Sequence, residues 1–113
     1  MVLIFLVKMV LPQHTYAQKS QLKQGNLYFE YGKFGDALKS FNNYKKSEKE
    51  PQTLIKRGIC YLKTNKPDEC IRDMALAHQL KSLDNTRFKY SAMAYFAKGE
   101  YLDAARFYKT YLN

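Results

Sequence analysis

The side chains able to do chemistry are few. There are two cysteines, Cys60 and Cys70, two histidines, His14 and His78, and one carboxylate cluster, Asp68, Glu69 and Asp73. Cys60 and Cys70 lack the short CxxC or paired-histidine spacing that a zinc site uses, so no metal is expected. A disulfide between them would require an oxidising compartment and Cα atoms within about 7 Å. Two buried thiols are the favoured state, since Cys70 occupies a position that calls for a small apolar side chain. His78 has no adjacent nucleophile and is assigned to surface or packing, and His14 falls in an apolar leader. Asp68, Glu69 and Asp73 follow Pro67 at a helix start, where they complement the helix dipole. With no glycine-rich phosphate loop and no nucleophile elbow, the chain is read as non-catalytic and without a cofactor.

The rest of the composition describes a scaffold. The 113 residues are one domain's worth of chain, and 46% are hydrophobic, which argues against disorder. Five Gly and three Pro are too few for a turn-dense all-β fold. The formal charge of +9 suggests an anionic partner, but the excess is spread along the chain. Its longest like-charge blocks are Lys45-Lys46 and Lys56-Arg57, whereas a nucleic-acid binder gathers its cations on one stripe.

Met1 to Leu11 is almost wholly apolar, Pro12 breaks it, and Thr15 and Ala17 are small residues at peptidase spacing. Residues 1–17 are therefore expected to be a signal peptide cleaved after Ala17, which would place the mature protein in the periplasm or at the outer membrane. A cytoplasmic chain with a structural first helix is the alternative.

The remainder repeats. Gly25, Gly58 and Ala92 recur at 33 and 34 residues, each followed three residues later by Tyr28, Tyr61 and Tyr95. Nine residues further come Ala37, Cys70 and Ala104, then the large Phe41, Met74 and Tyr108. The units are 18–50, 51–84 and 85–113. Apolar spacing of three and four predicts two helices in each. Gly32 and Gly99 close first helices, Asn65-Lys66-Pro67 is a turn, and Asp84 or Asn85 caps the fifth helix.

These positions resemble the tetratricopeptide repeat, a 34-residue helix–turn–helix unit. The resemblance implies an all-α, right-handed solenoid of three hairpins in which Gly25 faces Ala37, Gly58 faces Cys70 and Ala92 faces Ala104. The family's usual first-helix Trp is replaced by Gln21, Leu54 and Phe88, and its Leu before the small residue by Gln24, Arg57 and Ser91.

The resemblance also implies a concave face built from each unit's first helix. Its binding positions are Leu22, Asn26, Phe29, Ile55, Ile59, Leu62, Lys63, Lys89, Met93 and Phe96, a groove for a peptide or partner protein. One member class clamps a chaperone's terminal carboxylate with Lys and Asn on this face. Here only Asn26 matches, and Leu22 and Thr86 stand where Lys is needed, so that class is rejected. The third unit, FKYSAMAYFAKGEYLDAARFYKTYL, is similar to N-terminal repeats of Bacteroidota envelope proteins that continue into an OmpA-type domain. That similarity implies a scaffold in an envelope machine of the gliding or type IX secretion kind. The apolar last helix lacks a polar cap, so further chain, an oligomer or a partner is expected to cover it. Structural assembly is the alternative function, and an anionic surface or nucleic acid the third.

Overall fold

The computed structural model describes the backbone from Val2 and the side chains from Tyr16 onward. Six helices follow one another: α1 (Val2–Glu30), α2 (Phe34–Asn43), α3 (Pro51–Lys63), α4 (Pro67–Gln79), α5 (Thr86–Ala97) and α6 (Tyr101–Leu112). A short 3-10 turn at Ser47–Lys49 joins α2 to α3, and no strand occurs among the described residues. α1 begins far earlier than residue 18 and runs unbroken through Pro12. A proline deletes one rung of the hydrogen-bond ladder, and the rungs on either side carry the helix past it. The cleavage boundary expected after Ala17 falls within this helix. The side chains of 1–15, on which the leader reading rests, lie outside the described ones. Among the described residues no helix is long and apolar enough to cross a membrane.

The three hairpins close in the same way. Gly32, Asn65 and Gly99 take positive φ of 73°, 65° and 78°. The next N–H then turns back to the tyrosine carbonyl: Lys33 to Tyr28 at 2.8 Å, Lys66 to Tyr61 at 2.8 Å and Glu100 to Tyr95 at 2.9 Å. This left-handed cap satisfies carbonyls that the helix end leaves free. At the start of α5, Asp84 rather than Asn85 supplies the cap, its Oδ1 accepting from the Thr86 N–H at 3.0 Å and hydroxyl at 2.6 Å.

Each hairpin packs on the next, α2 against α3 and α4 against α5. The core collects Ala37, Phe41, Leu54, Cys60, Cys70, Met74 and Ala77. Large side chains from the second helices close over the two glycines. A Cβ at Gly25 would lie 2.6 Å from the Phe41 ring, and one at Gly58 would lie 2.7 Å from Met74 Cε and 3.3 Å from Asp73 Cβ. Long helical side chains lean toward the helix N-terminus. Phe41 and Met74 thus reach back over the level of Ala37 and Cys70 and fill the space the glycines leave. Cys70 still contributes its carbonyl oxygen, 3.5 Å from the same point at Gly58.

The dipole role expected of Asp73 is also corrected. Asp73 is fully buried and paired with Arg57, which is itself only 5% exposed. Arg57 Nε donates to Asp73 Oδ2 at 2.8 Å and its Nη2 to Oδ1 at 2.9 Å, a two-pronged fit. Nη1 reaches Asn42 Oδ1 at 3.2 Å, and Nη2 also reaches Glu48 Oε1 at 3.4 Å. The hydrogen bonds that Arg57 donates to Asp73 hold its guanidinium above its ordinary pKa, against the opposing effect of burial. The site where the family places Leu therefore carries a buried ion pair joining α3 to α4.

Cys60 and Cys70 are two free, buried thiols. Burial pushes each up to about 12 from 9.0. The unfolded chain's thiols ionise first as pH rises, so stability is intact below about pH 9 and is lost progressively as pH climbs toward 12. Iodoacetamide at pH 8 is expected to leave the native chain unlabelled and to alkylate both cysteines in denaturant, as read by intact mass. Labelling of the native chain at the rate of a free thiol would contradict the burial.

Candidate functional site

The first helices of the three units, α1, α3 and α5, carry all ten positions expected to bind a partner. Burial divides them. Ile55 and Ile59 are buried in the core and form the floor of this face. Leu22, Phe29 and Leu62 are half-buried and pack on that core from its edge. Asn26, Lys89 and Met93 are half-buried, Lys63 is exposed, and Phe96 is 60% exposed.

One group of these residues is tied together across helices. Lys56 Nζ on α3 donates to Asn26 Oδ1 on α1 at 3.0 Å and stands 5.9 Å from the centre of the Phe29 ring. Phe29 in turn meets Phe34 edge-on at 6.0 Å. Along α1 a shallow depression is lined by Lys19, Leu22, Lys23, Asn26, Leu27 and Glu30. Two leucines, two lysines, an amide and the Glu30 carboxylate thus share one depression. At the other end of the array Lys89 lies over the Tyr90 ring at 5.6 Å, and Phe96 meets Tyr101 at 5.1 Å. This second group is not joined to the first by any hydrogen bond among the described residues.

Lys56 is the functional candidate that the sequence-based expectation passes over. Its signal is present: it is four residues after Gln52, three before Ile59 and seven before Lys63, the spacing of one helix face. The surface can bind and orient a chain segment. It offers apolar side chains for anchoring, a half-buried amide, and cations for carboxylates. Among the described residues no group of three or more His, Cys, Asp or Glu side chains could hold a metal.

No family model matches this chain. It is 32% identical over 99 residues to sperm-associated antigen 1A of Danio rerio, a match covering 80% of this chain and 23% of that protein. It is 37% identical over 65 residues to the heat shock protein sti1 homolog of Schizosaccharomyces pombe, covering 57% of this chain and 11% of the relative. The chain thus spans less than a quarter of the length of either curated relative. Among solved structures it resembles the second tetratricopeptide domain of Spaghetti (RPAP3) bound to the HSP90 peptide SRMEEVD. The TM-score is 0.73 at 22% identity, over 88% of this chain and 94% of that one.

These findings overturn the expected location. The similar sequences come from a fish and a fission yeast, organisms without a bacterial outer membrane, and none is an envelope protein of the Bacteroidota. Export to a periplasm and an OmpA-type origin lose their support, because the likeness of the third unit reflects the repeat motif itself. Three equivalent hairpins, capped alike and superposing on a solved array of the same kind, make this chain a tetratricopeptide-repeat fold.

Proposed function

We propose that the chain is a non-catalytic protein–protein interaction module whose α1–α3–α5 face holds a peptide segment bearing carboxylates and an apolar anchor. The observation that carries this is the Asn26–Lys56–Phe29 cluster, where a lysine, an amide and an aromatic ring from two helices meet on one surface. Lys19 and Lys23 outnumber Glu30 in the adjoining depression along α1, which leaves it net positive. The solved neighbour was captured with the acidic peptide SRMEEVD, which supports this class of ligand. Leu22 and Thr86 still lack the charge of the chaperone clamp, so Lys56 takes the leading role here.

Calorimetric titration with SRMEEVD tests the proposal, with SRMQQVN carrying a C-terminal amide as the control without carboxylates. The acidic peptide is expected to bind at least about tenfold more tightly, and Lys56→Glu to remove that preference while the circular dichroism spectrum stays unchanged. Equal affinity for the two peptides, or a full preference surviving in Lys56→Glu, would overturn it.

The end of the array favours a second reading, as an assembly segment. α6 buries Ala104 but leaves Leu102 90% and Leu112 79% exposed, with Tyr101 beside Phe96. Such a face is what a stacked neighbour covers in a repeat array. Sedimentation as a dimer that Leu102→Glu dissolves would support this reading.

A further inference from the structure

A second concavity lies between α4 and α6 with α5 as its floor, away from the α1–α3–α5 face. It encloses about 320 Å³, near the lower end for ligand sites. Its walls are apolar: Met74, Phe88, Tyr95 and Phe107 line it, the last two stacked at 5.3 Å between centroids. Five α4 positions line it at helical spacing, Ile71, Met74, Ala75, His78 and Gln79, so one face of that helix is committed to the cavity.

The rim holds a cation in a fixed place. Arg87 lies with its guanidinium carbon 4.2 Å from the centre of the Phe88 ring. Its Nη1 donates to the Asp84 carbonyl at 2.7 Å and its Nε to His78 Nδ1 at 3.3 Å. These two bonds and the stacking fix the guanidinium plane before any ligand arrives. They use two of the five N–H donors of an arginine. Nη2 makes no hydrogen bond among the described residues, and no carboxylate lies within ion-pair distance of Arg87 there. The contrast with Arg57 is direct: one arginine has its carboxylate supplied by the chain, and the other is held flat at a cavity mouth without one.

We infer that this cavity is a second binding site, which takes a protein segment with an apolar side chain next to a carboxylate. The side chain enters between Met74, Phe88, Tyr95 and Phe107, and the carboxylate accepts from the free N–H groups of Arg87. The charge complementarity selects an acidic neighbour, and the volume is ample for a leucine- or phenylalanine-sized group. The occupant is a partner protein, since the cavity is walled by the chain's own helices and opens outward at Arg87 and Gln79.

The test uses the whole chain and three capped dipeptides as probes: acetyl-Leu-Glu-amide, acetyl-Leu-Gln-amide and acetyl-Ala-Glu-amide. Two-dimensional NMR follows the Ala75 and Ser91 amides, both on the cavity wall. Acetyl-Leu-Glu-amide is expected to shift both saturably. The glutamine probe is expected to bind roughly fivefold more weakly, as is typical when one partly exposed ion pair is lost. The alanine probe is expected to shift neither signal. Arg87→Gln is expected to abolish the preference for Glu over Gln while leaving leucine insertion in place. Ala75→Phe, which fills the cavity from the exposed side of α4, is expected to block all three probes. The proposal is overturned if no probe shifts these signals, if Glu and Gln probes bind equally, or if Arg87→Gln keeps the preference. Shifts confined to Asn26, Lys56 and Met93 would overturn it too, because they would assign the binding to the other face.

Discussion

Replacing Asp73 with Ala is expected to lower the unfolding free energy by about 3–5 kcal/mol, the cost of leaving a buried charge without its partner. Arg57, 5% exposed, would keep its guanidinium in the core with only Asn42 and Glu48 near it. For a domain of this size that loss lowers Tm by roughly 15 °C or more. Arg57→Met should cost a similar amount, because it strands the fully buried Asp73 carboxylate with Arg72 Nε at 3.7 Å as its remaining cation. Changing both, Arg57→Met with Asp73→Leu, is expected to return stability to within about 1 kcal/mol of the parent, since well-packed apolar pairs commonly replace buried ion pairs without loss. Urea unfolding of the three variants measures this. Single changes costing under about 1 kcal/mol, or a double change costing the sum of the two, would show that the pair carries little coupled energy.

Gly25→Leu is expected to be nearly as damaging, at about 3 kcal/mol, the upper part of the range for overpacking a core. Even a Cβ at Gly25 would stand 2.6 Å from Phe41, a ring fully buried between α1 and α2. The cost should be coupled to that ring. Phe41→Ala alone opens a cavity and costs about 3–5 kcal/mol. Together the new Leu fills the space the ring vacates, so the double variant should be more stable than the sum of the two losses by about 2 kcal/mol or more. Strict additivity in a denaturant series would mean that the two residues do not share the space the structure gives them.

The architecture was legible in the sequence because its period is carried by small residues. Gly25, Gly58 and Ala92 are informative wherever they recur at near-constant spacing, since close helix approach leaves few substitutes. The turns were legible for the same reason, with Gly32, Asn65 and Gly99 at the left-handed positions. Partners across a hairpin were less so. Spacing gives the level of a Cα but not the lean of a side chain, and that lean is what brings Phe41 and Met74 onto Gly25 and Gly58. The ion pair was hidden by a different ambiguity: an Asp near a helix start has a satisfactory local explanation, and nothing local reveals that Arg57 lies across from it. On the candidate binding face, Ile55 and Ile59 have the right spacing for a surface, yet the packing of α2 and α4 around α3 takes them into the core. Lys56 was missed because it sits next to Ile55, and its role depends on Asn26, thirty residues earlier.

The uneven burial along the array sets the order in which it comes apart. α3 buries eight of its thirteen residues, whereas α6 buries Ala104 and turns much of its apolar surface to water. In a chain where each unit leans on its neighbours, stability is shared out by interfaces, and the middle hairpin has one on each side, α2 against α3 and α4 against α5. It also holds the buried Arg57–Asp73 pair, so its amides should be the last to open to solvent. Hydrogen exchange measures this, and protection in α3 and α4 no higher than in α6 would mean that stability is spread evenly along the array. The centre then works as the anchor about which the flanking hairpins can adjust to what they hold.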